Sequence, residues 1–280
     1  MEMMFGLDEH LRSWLEEDVG SGDLTTNAIV GPEKEATGIV HAKDTGVLAG
    51  VSVARRVFEL LEPGISFTAK LADGAKLAPG SVIAEVHGTA RAVLTGERLA
   101  LNLLQHMSGV ATRTARLAAI AAPYGAPLVD TRKTTPGLRL LDKYAVRVGG
   151  GSNHRLGLYD AMLIKDNHIQ VAGGIREALA RARAYASHMT KIEIEVEDLA
   201  GVREALAGGA DVIMLDNMAP EMMRKAVGII DHRAVVEASG GIDETTLAAA
   251  AAAGVDVISV GALTHSVKAL DISMDIGRIK

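Results

Sequence analysis

Four short apolar runs recur at even intervals in the second half of the chain: IEIEV at 192–196, VIML at 212–215, VVEA at 235–238 and VDVISV at 255–260. Polar or glycine residues end these runs at Glu195, Asp216, Ser239 and Gly261. The intervals between them are 21, 23 and 22 residues. Segments with helical periodicity lie between the runs, which predicts a parallel sheet with right-handed crossovers. The even spacing favours a β/α barrel over a doubly wound sheet.

Two earlier apolar runs, Leu128–Val129 and Ala161–Ile164, extend the pattern to six strands. A closed barrel of this type has eight. Either strands are hidden within 140–158, or the barrel is incomplete. The predicted helices between the later strands are Gly174–Tyr185, Ala200–Ala207, Glu221–Ile230 and Glu244–Ala253.

The first part of the chain has a different pattern, which predicts a small α+β unit. An amphipathic helix is expected at Leu7–Glu17, and a long helical stretch covers Thr95–Ala122. Strands are expected at Ala36–Ala42, Ile65–Leu71 and Val82–His87, separated by turn residues. We therefore divide the chain into a small N-terminal α+β domain, 1–110, and a barrel domain, 111–267, with a tail, 268–280, that could pack with the first domain.

Composition excludes several classes of protein. The 280 residues include no cysteine, which rules out disulfides, thiolate nucleophiles and cysteine metal sites. The net charge of −6 argues against general nucleic-acid binding. No apolar run approaches the length of a membrane span, and the acidic N-terminus does not resemble a signal peptide. We expect a soluble, cytoplasmic protein.

Positive charge is concentrated in one segment, 131–165, which holds seven basic residues and two acids. A basic segment in an acidic protein indicates a local site for anions. Three of the cations, Arg139, Lys143 and Arg147, are spaced four residues apart, so for them we favour a solvated helix face.

Two loops rich in hydrogen-bond donors belong to this segment. The first, Thr131–Gly137, begins with Thr131, Arg132 and Lys133, directly after the first barrel strand. Arginine offers a planar fork for a carboxylate or phosphate, and lysine offers a point charge. The second loop, Gly149–Arg155, joins three glycines to His154 and Arg155. Together they indicate an anion site at the C-terminal ends of the strands, where barrel enzymes have their active sites.

Lys165, Glu195 and Asp216 end three further strands. Lys165 could bind an anion, act as a base or form a Schiff base, and the other cations favour anion binding. Glu195 and Asp216 could hold a divalent ion such as Mg²⁺ together with a substrate phosphate. Alternatively they form ion pairs with Arg132 or Lys165, and both could hold.

The last two strands end in the loops Ser239-Gly240-Gly241 and Gly261-Ala262. Such loops often bind phosphate through backbone N–H groups in barrel enzymes. Three histidines, His106, His154 and His168, are further candidates, although no spacing resembles a zinc site. The set of cations, acids and loops favours chemistry driven by positioning and electrostatics.

These motifs resemble those of the quinolinate phosphoribosyltransferases. The resemblance rests mainly on Asp130–Gly137 (DTRKTTPG), Gly149–Arg155 (GGGSNHR) and Ile164–His168 (IKDNH). It extends to residues 16–25 and to Glu237–Ile242 (EASGGI), and so covers nearly the whole chain. The family forms nicotinate mononucleotide, pyrophosphate and carbon dioxide from quinolinate and phosphoribosyl pyrophosphate, using Mg²⁺. Its fold pairs an N-terminal α/β sandwich with an incomplete α/β barrel.

The resemblance also implies roles for individual residues. Arg132, His154, Arg155 and Lys165 would hold the quinolinate carboxylates, and Lys133 would face phosphoribosyl pyrophosphate. Glu195 and Asp216 would serve the ribose and the metal, and the Ser239 and Gly261 loops would bind the 5′-phosphate. The family assembles from dimers, which would place Arg98 in the active site of the neighbouring subunit.

Two other functions remain open. One is a related pyrophosphorylase of different specificity, against which the motifs at 153–155 and 165–168 argue. The other is a non-catalytic anion-binding barrel, which would bind quinolinate without turning it over.

Overall fold

A computed structural model describes residues 6–279. The elements up to residue 121 are, in chain order, α1 (Leu7–Val19), α2 (Leu24–Ile29), β1 (Glu35–Ala42), β2 (Gly46–Val47), α3 (Val51–Leu61), β3 (Ser66–Ala69), β4 (Lys76–Leu77), β5 (Val82–Thr89) and α4 (Ala90–Ala121). The predicted helix at 7–17 and the three predicted strands are confirmed to within a few residues.

The remaining elements alternate as predicted. After a short 3₁₀ turn they are β6 (Leu128–Val129), α5 (Arg139–Val148), β7 (Met162–Ile164), α6 (Asp166–Ala172), α7 (Ile175–Tyr185), β8 (Ile192–Val196), α8 (Leu199–Ala207), β9 (Val212–Asp216), α9 (Pro220–Ile230), β10 (Val235–Ser239), α10 (Leu247–Ala251), β11 (Val257–Ser259), α11 (Ala262–His265) and β12 (Ile272–Ile276).

The described residues form two compact units. The first contains residues 6–113, 140–149 and 267–279, and the second contains 114–139 and 150–266. The first unit therefore includes residues 140–149, which lie inside the predicted catalytic range, and the C-terminal segment from 267.

An antiparallel sheet forms the centre of the first unit, with strand order β12-β1-β5-β3. Helix α3 buries Val53, Ala54, Val57 and Phe58, which recur at helical spacing. No strand was predicted near the C-terminus, yet β12 pairs with β1 along Gly38–Ala42. This pairing joins segments more than 200 residues apart in the sequence, so local pattern alone does not reveal it.

The second unit contains a six-stranded parallel sheet in the order β6-β11-β10-β9-β8-β7. Within the described residues no strand pairing joins β6 to β7, which confirms the incomplete barrel. Apolar residues of β8 and β9, such as Ile192, Ile194 and Ile213, are fully buried, as expected for strands covered by helices. Residues 140–158 contribute helix α5 and a single bridge from Ser152 to Val129 rather than hidden strands.

The expectation of a solvated face for three cations of residues 131–165 is wrong in part. Lys143 is buried, Arg139 is half-buried and only Arg147 is exposed. The four-residue spacing shows only that the three side chains lie on one face of the helix. It does not show whether that face meets solvent, and helix α5 packs within the first unit. No helix of residues 6–279 has the length and apolarity needed to span a membrane.

Candidate active site

A cavity of about 460 Å³ lies at the C-terminal ends of the barrel strands. Its lining includes eleven of the predicted site residues: Thr131, Arg132, Lys133, His154, Arg155, Lys165, Glu195, Asp216, Ser239, Gly240 and Gly241. The parallel sheet explains this convergence, because the carboxyl ends of all its strands point to one side. Gly261, Ala262 and Arg98 are not among the lining residues.

Gly261 lies next to the cavity, against the side chain of Lys133. A Cβ atom at Gly261 would stand 3.0 Å from Cδ of Lys133, which leaves little room for a larger residue. The Lys133 backbone is held as well. Its N–H donates to Oγ1 of Thr131 at 3.0 Å, and its carbonyl accepts from Oγ1 of Thr264 at 2.8 Å. These contacts fix the first predicted loop against Gly261 and helix α11, which follow the last barrel strand, β11.

Asp130 anchors the second predicted loop. It is fully buried at the end of β6. Its Oδ1 accepts from the His154 N–H at 2.9 Å, and its Oδ2 accepts from Nδ2 of Asn153 at 2.5 Å. A buried carboxylate with two donors fixes this backbone segment, and so places His154 and Arg155 at the cavity wall.

Both ring nitrogens of His154 have partners in the protein. Nδ1 accepts from the Arg155 N–H at 2.8 Å, so this hydrogen-bond pattern assigns the ring proton to Nε2. Nε2 lies 3.0 Å from Oε2 of Glu193 and 3.6 Å from Oε2 of Glu237. A substrate carboxylate would reach a ring nitrogen only by replacing one of these partners.

The sequence reasoning missed Glu193 and Glu237. Both are buried, and the Oε1 atom of each has no hydrogen-bond partner within residues 6–279. Burial, followed by the charge of Glu193, raises the pKa of Glu237 to about 7. The two acids and His154 form a group of possible metal ligands within 4.8 Å of one another. The available signal in the sequence was an acidic residue inside an otherwise apolar strand, whereas the predicted site residues follow the strand ends.

Arg132 and Arg155 bring two guanidinium groups to the same cavity. Nη1 of Arg155 donates to the Ala161 carbonyl at 3.2 Å. Burial lowers the pKa of Arg155, and the charge of Arg132 lowers it further. The Nε atom of Arg132 is buried and has no partner within the described residues. Two partly buried cations that repel each other make a site with strong affinity for anions.

Lys165 forms an ion pair with Glu195, which was one of the two predicted roles for this acid, the other being a metal ligand. Its Nζ lies 2.9 Å from Oε2 of Glu195. On the next strand, Oδ2 of Asp216 accepts from Nδ2 of Asn217 at 2.7 Å. Two carboxylates lining one cavity are oxygen ligands of the type that Mg²⁺ takes together with substrate phosphates. The chemistry of these two carboxylates is compatible with Mg²⁺ shared with a substrate phosphate, and the ion pair expected as the alternative is present between Lys165 and Glu195.

The other flagged histidines have local structural partners. Nδ1 of His168 accepts from the Lys165 N–H at 2.9 Å, at the start of α6. Nε2 of His106 lies 2.5 Å from Oδ1 of Asp142, within the first unit. Arg98 belongs to α4 in the first unit, and its side chain is 57% exposed.

Known proteins resemble this chain over its full length. The quinolinate phosphoribosyl transferase N-terminal domain matches residues 23–108, and the C-terminal domain of the same family matches 110–275. A probable nicotinate-nucleotide pyrophosphorylase (carboxylating) from Bacillus subtilis is 48% identical over 270 residues, covering 96% of this chain and 93% of that protein.

Solved structures agree. NadC from Streptococcus pyogenes superimposes with a TM-score of 0.95 at 45% identity, over 100% of both chains. The nicotinate-nucleotide pyrophosphorylase from Francisella tularensis gives a TM-score of 0.92 at 40% identity, over 96% of this chain and 95% of that one. The chain belongs to the quinolinate phosphoribosyltransferase family.

Proposed function

We propose that this chain transfers the phosphoribosyl group of phosphoribosyl pyrophosphate to quinolinate. The reaction releases the 2-carboxylate as carbon dioxide and yields nicotinate mononucleotide and pyrophosphate, a step of NAD synthesis. One observation carries the proposal: the paired guanidinium groups of Arg132 and Arg155, the second with its pKa lowered by burial and by the first, in a cavity of about 460 Å³. Such a pair suits a small dianion, and quinolinate has two carboxylates on adjacent ring carbons.

Quinolinate would bind on the cationic side of the cavity. Arg132, Arg155 and Lys165 line it there and supply fixed positive charge. Arginine forks bind carboxylates in the ring plane, which would orient the pyridine nitrogen towards the ribose. His154 would act mainly by fixing Arg155, unless a substrate carboxylate replaces one of its present partners.

Phosphoribosyl pyrophosphate would occupy the side formed by Lys133, Glu195, Asp216 and the glycine loops. The loop Ser239-Gly240-Gly241, with Gly261-Ala262 beside it, would take the 5′-phosphate. Glu195 and Asp216 would face the ribose, where carboxylates stabilise the positive charge that develops at C1 as pyrophosphate leaves. They would also hold Mg²⁺, which when bound neutralises charge on the departing pyrophosphate.

Decarboxylation follows from the charge on the ring. Once the pyridine nitrogen is bonded to C1 of the ribose, it carries a positive charge. The electron pair of the C2–carboxylate bond can then remain at C2 while carbon dioxide leaves, and a proton replaces it. The cations of the protein hold the ring in place. Because the departing carboxylate loses its negative charge in the transition state, cations that bound it tightly would stabilise the ground state and slow this step.

The active unit would be a cytoplasmic homodimer or a larger assembly of dimers. Arg98 has an exposed side chain in the first unit, with Glu97 at 3.9 Å as its nearest ion-pair partner. An isologous dimer would present two copies of Arg98 symmetrically, one to each neighbouring active site. This placement follows the family resemblance.

The test is direct. The purified protein is incubated with quinolinate, phosphoribosyl pyrophosphate and Mg²⁺, and the products are separated by chromatography. We expect nicotinate mononucleotide and pyrophosphate in equal amounts, with no product when either substrate or Mg²⁺ is left out. Tight quinolinate binding without any nucleotide product would instead favour an anion-binding barrel.

A further inference from the structure

Asn217 has an unusual backbone conformation at the edge of the cavity. Its φ of 53° lies in the left-handed region, which only two other non-glycine residues of the described chain adopt, Asp231 and His232. Those two follow α9 in a turn, whereas Asn217 directly follows Asp216 at the end of β9. Asparagine tolerates this region better than most residues, but the conformation still costs free energy that other contacts must offset.

The side chain of Asn217 holds the carboxylate of Asp216. Its Nδ2 donates to Oδ2 of Asp216 at 2.7 Å. Its backbone N–H donates to the Ser239 carbonyl at 3.0 Å, across the paired strands β9 and β10. Asn217 is therefore hydrogen-bonded through its side chain to Asp216 and through its backbone to Ser239, the first residue of the glycine loop.

The glycine loop also packs directly on Asn217. A Cβ atom at Gly240 would lie 2.6 Å from the Asn217 nitrogen and 2.5 Å from its Cγ, and would meet its Oδ1 closer still. Gly240 itself has a φ of 90°. Only glycine fits here, and the reason is the position of Asn217 beneath it.

We propose that Asn217 is a positioning residue that couples Asp216 to the Ser239-Gly240-Gly241 loop. This inference rests on the proposed function, because it takes a phosphorylated pentose as the ligand that contacts both. The amide fixes the direction of the carboxylate that faces the ribose. The same residue supports the loop that faces the 5′-phosphate. One bound sugar phosphate can then meet both groups without either having to move.

Substitution of Asn217 would remove either the amide hydrogen bond or the unstrained left-handed backbone, depending on the new residue. Glycine keeps the left-handed backbone without strain but has no amide. Aspartate tolerates the backbone but replaces the donor with an acceptor, and adds a negative charge beside Asp216. Alanine loses the amide and strains the backbone. A comparison of these variants separates backbone conformation from the role of the side chain.

The decisive variant is Asn217→Gly. We expect kcat to fall and KM for phosphoribosyl pyrophosphate to rise, with a combined loss in kcat/KM of about 10- to 100-fold, while the dissociation constant for quinolinate stays within about twofold. The thermal unfolding temperature should not fall, because glycine removes the backbone strain. His232→Gly is the matched control, since it relieves a left-handed residue in an exposed turn outside the cavity lining, and its kinetics should equal those of the wild type.

A second measurement does not depend on turnover. Calorimetric titration with ribose 5-phosphate should show weaker binding by Asn217→Gly and by Gly240→Ala than by the wild type. Equal affinity for ribose 5-phosphate in the wild type and Asn217→Gly would overturn the inference, whether or not the protein turns over quinolinate. Unchanged kcat and KM in Asn217→Gly would overturn it too. An inactive wild type that still binds ribose 5-phosphate more tightly than Asn217→Gly would contradict the proposed reaction and leave the coupling supported.

Discussion

The ammonium group of Lys165 lies 2.9 Å from a carboxylate oxygen of Glu195, and this pair joins the ends of the neighbouring strands β7 and β8. The Lys165 side chain is 46% exposed and its ammonium end of the pair meets water, whereas the Glu195 side chain is 11% exposed. Exposed ion pairs contribute little to stability, at most about 1 kcal/mol. We expect this pair to serve substrate binding more than folding.

Replacing Lys165 should separate these two roles. We expect Lys165→Ala to change the free energy of unfolding by less than about 1 kcal/mol. Quinolinate binding should weaken by about 2–5 kcal/mol, because a charged partner of the substrate is lost. Urea unfolding and calorimetry measure the two quantities. Lys70→Ala is the matched control, because the Lys70 side chain is 40% exposed and pairs with Glu85 at 3.0 Å outside the cavity lining. A large loss of stability with unchanged quinolinate binding would refute the assignment.

Nicotinic acid should be a poor substrate. It lacks the 2-carboxylate, so one of the cations at Arg132, Arg155 or Lys165 would lose its partner at a cost of about 2–5 kcal/mol. We expect kcat/KM for nicotinic acid to fall correspondingly below that for quinolinate, measured by pyrophosphate release under the same conditions. Comparable values for the two acids would mean that the cations do not select a dianion.

The raised pKa of Glu237 predicts that the free energy of unfolding depends on pH. Its pKa in the folded protein is raised to about 7 from an ordinary value of 4.5, so folding takes up a proton at pH values between these two. The contribution of this group to the free energy of unfolding should therefore fall as pH rises from 4.5 to 7, by at most about 3 kcal/mol, and then level off.

The matching variant is Glu237→Gln, which cannot ionise. Urea unfolding at several pH values should show a shallower decline for Glu237→Gln than for the wild type between pH 4.5 and 7. Glu197→Gln, a change at an exposed position, should follow the wild type. Identical pH profiles for all three proteins would show that folding does not raise the pKa of Glu237.

The sequence predicted most of the barrel because the six strands and the helices between them have strong local periodicity. It did not predict β12, whose partner β1 lies at the opposite end of the chain. Burial of Lys143 was missed for a similar reason. Helix α5 packs in the first unit, although the residues on either side of it belong to the second. The spacing of the three cations does not reveal which unit the helix packs in, and so does not reveal that Lys143 is buried.

The cavity lining was predictable at most of the strand ends, although Gly261 and Ala262 do not belong to it. Arg132, Lys165 and Asp216 follow apolar runs and were placed correctly at the cavity. Glu193 and Glu237 lie inside strands, where a charged residue becomes meaningful only when the barrel interior is known. The role of Asn217 depends on a backbone angle, which sequence does not reveal.

Subunit complementation tests the placement of Arg98. Arg98→Ala and Lys165→Ala should each be nearly inactive alone. After subunit exchange, a mixed dimer would have one site lacking both side chains and one intact site. Activity should therefore recover to at most about one quarter of the wild type, because half of random dimers are mixed. If labelled subunits demonstrably exchange and no activity returns, Arg98 does not act in a neighbouring site.

The reaction that we assign to this chain joins ribose to the quinolinate nitrogen and removes the adjacent carboxylate. It is tested most directly with quinolinate carrying a carbon isotope label in the 2-carboxylate alone, and in a parallel sample in the 3-carboxylate alone. We expect one labelled carbon dioxide for each nicotinate mononucleotide in the first sample, and label retained in the nucleotide in the second. Nucleotide formed without release of the 2-carboxylate label, or no nucleotide at all, would contradict it.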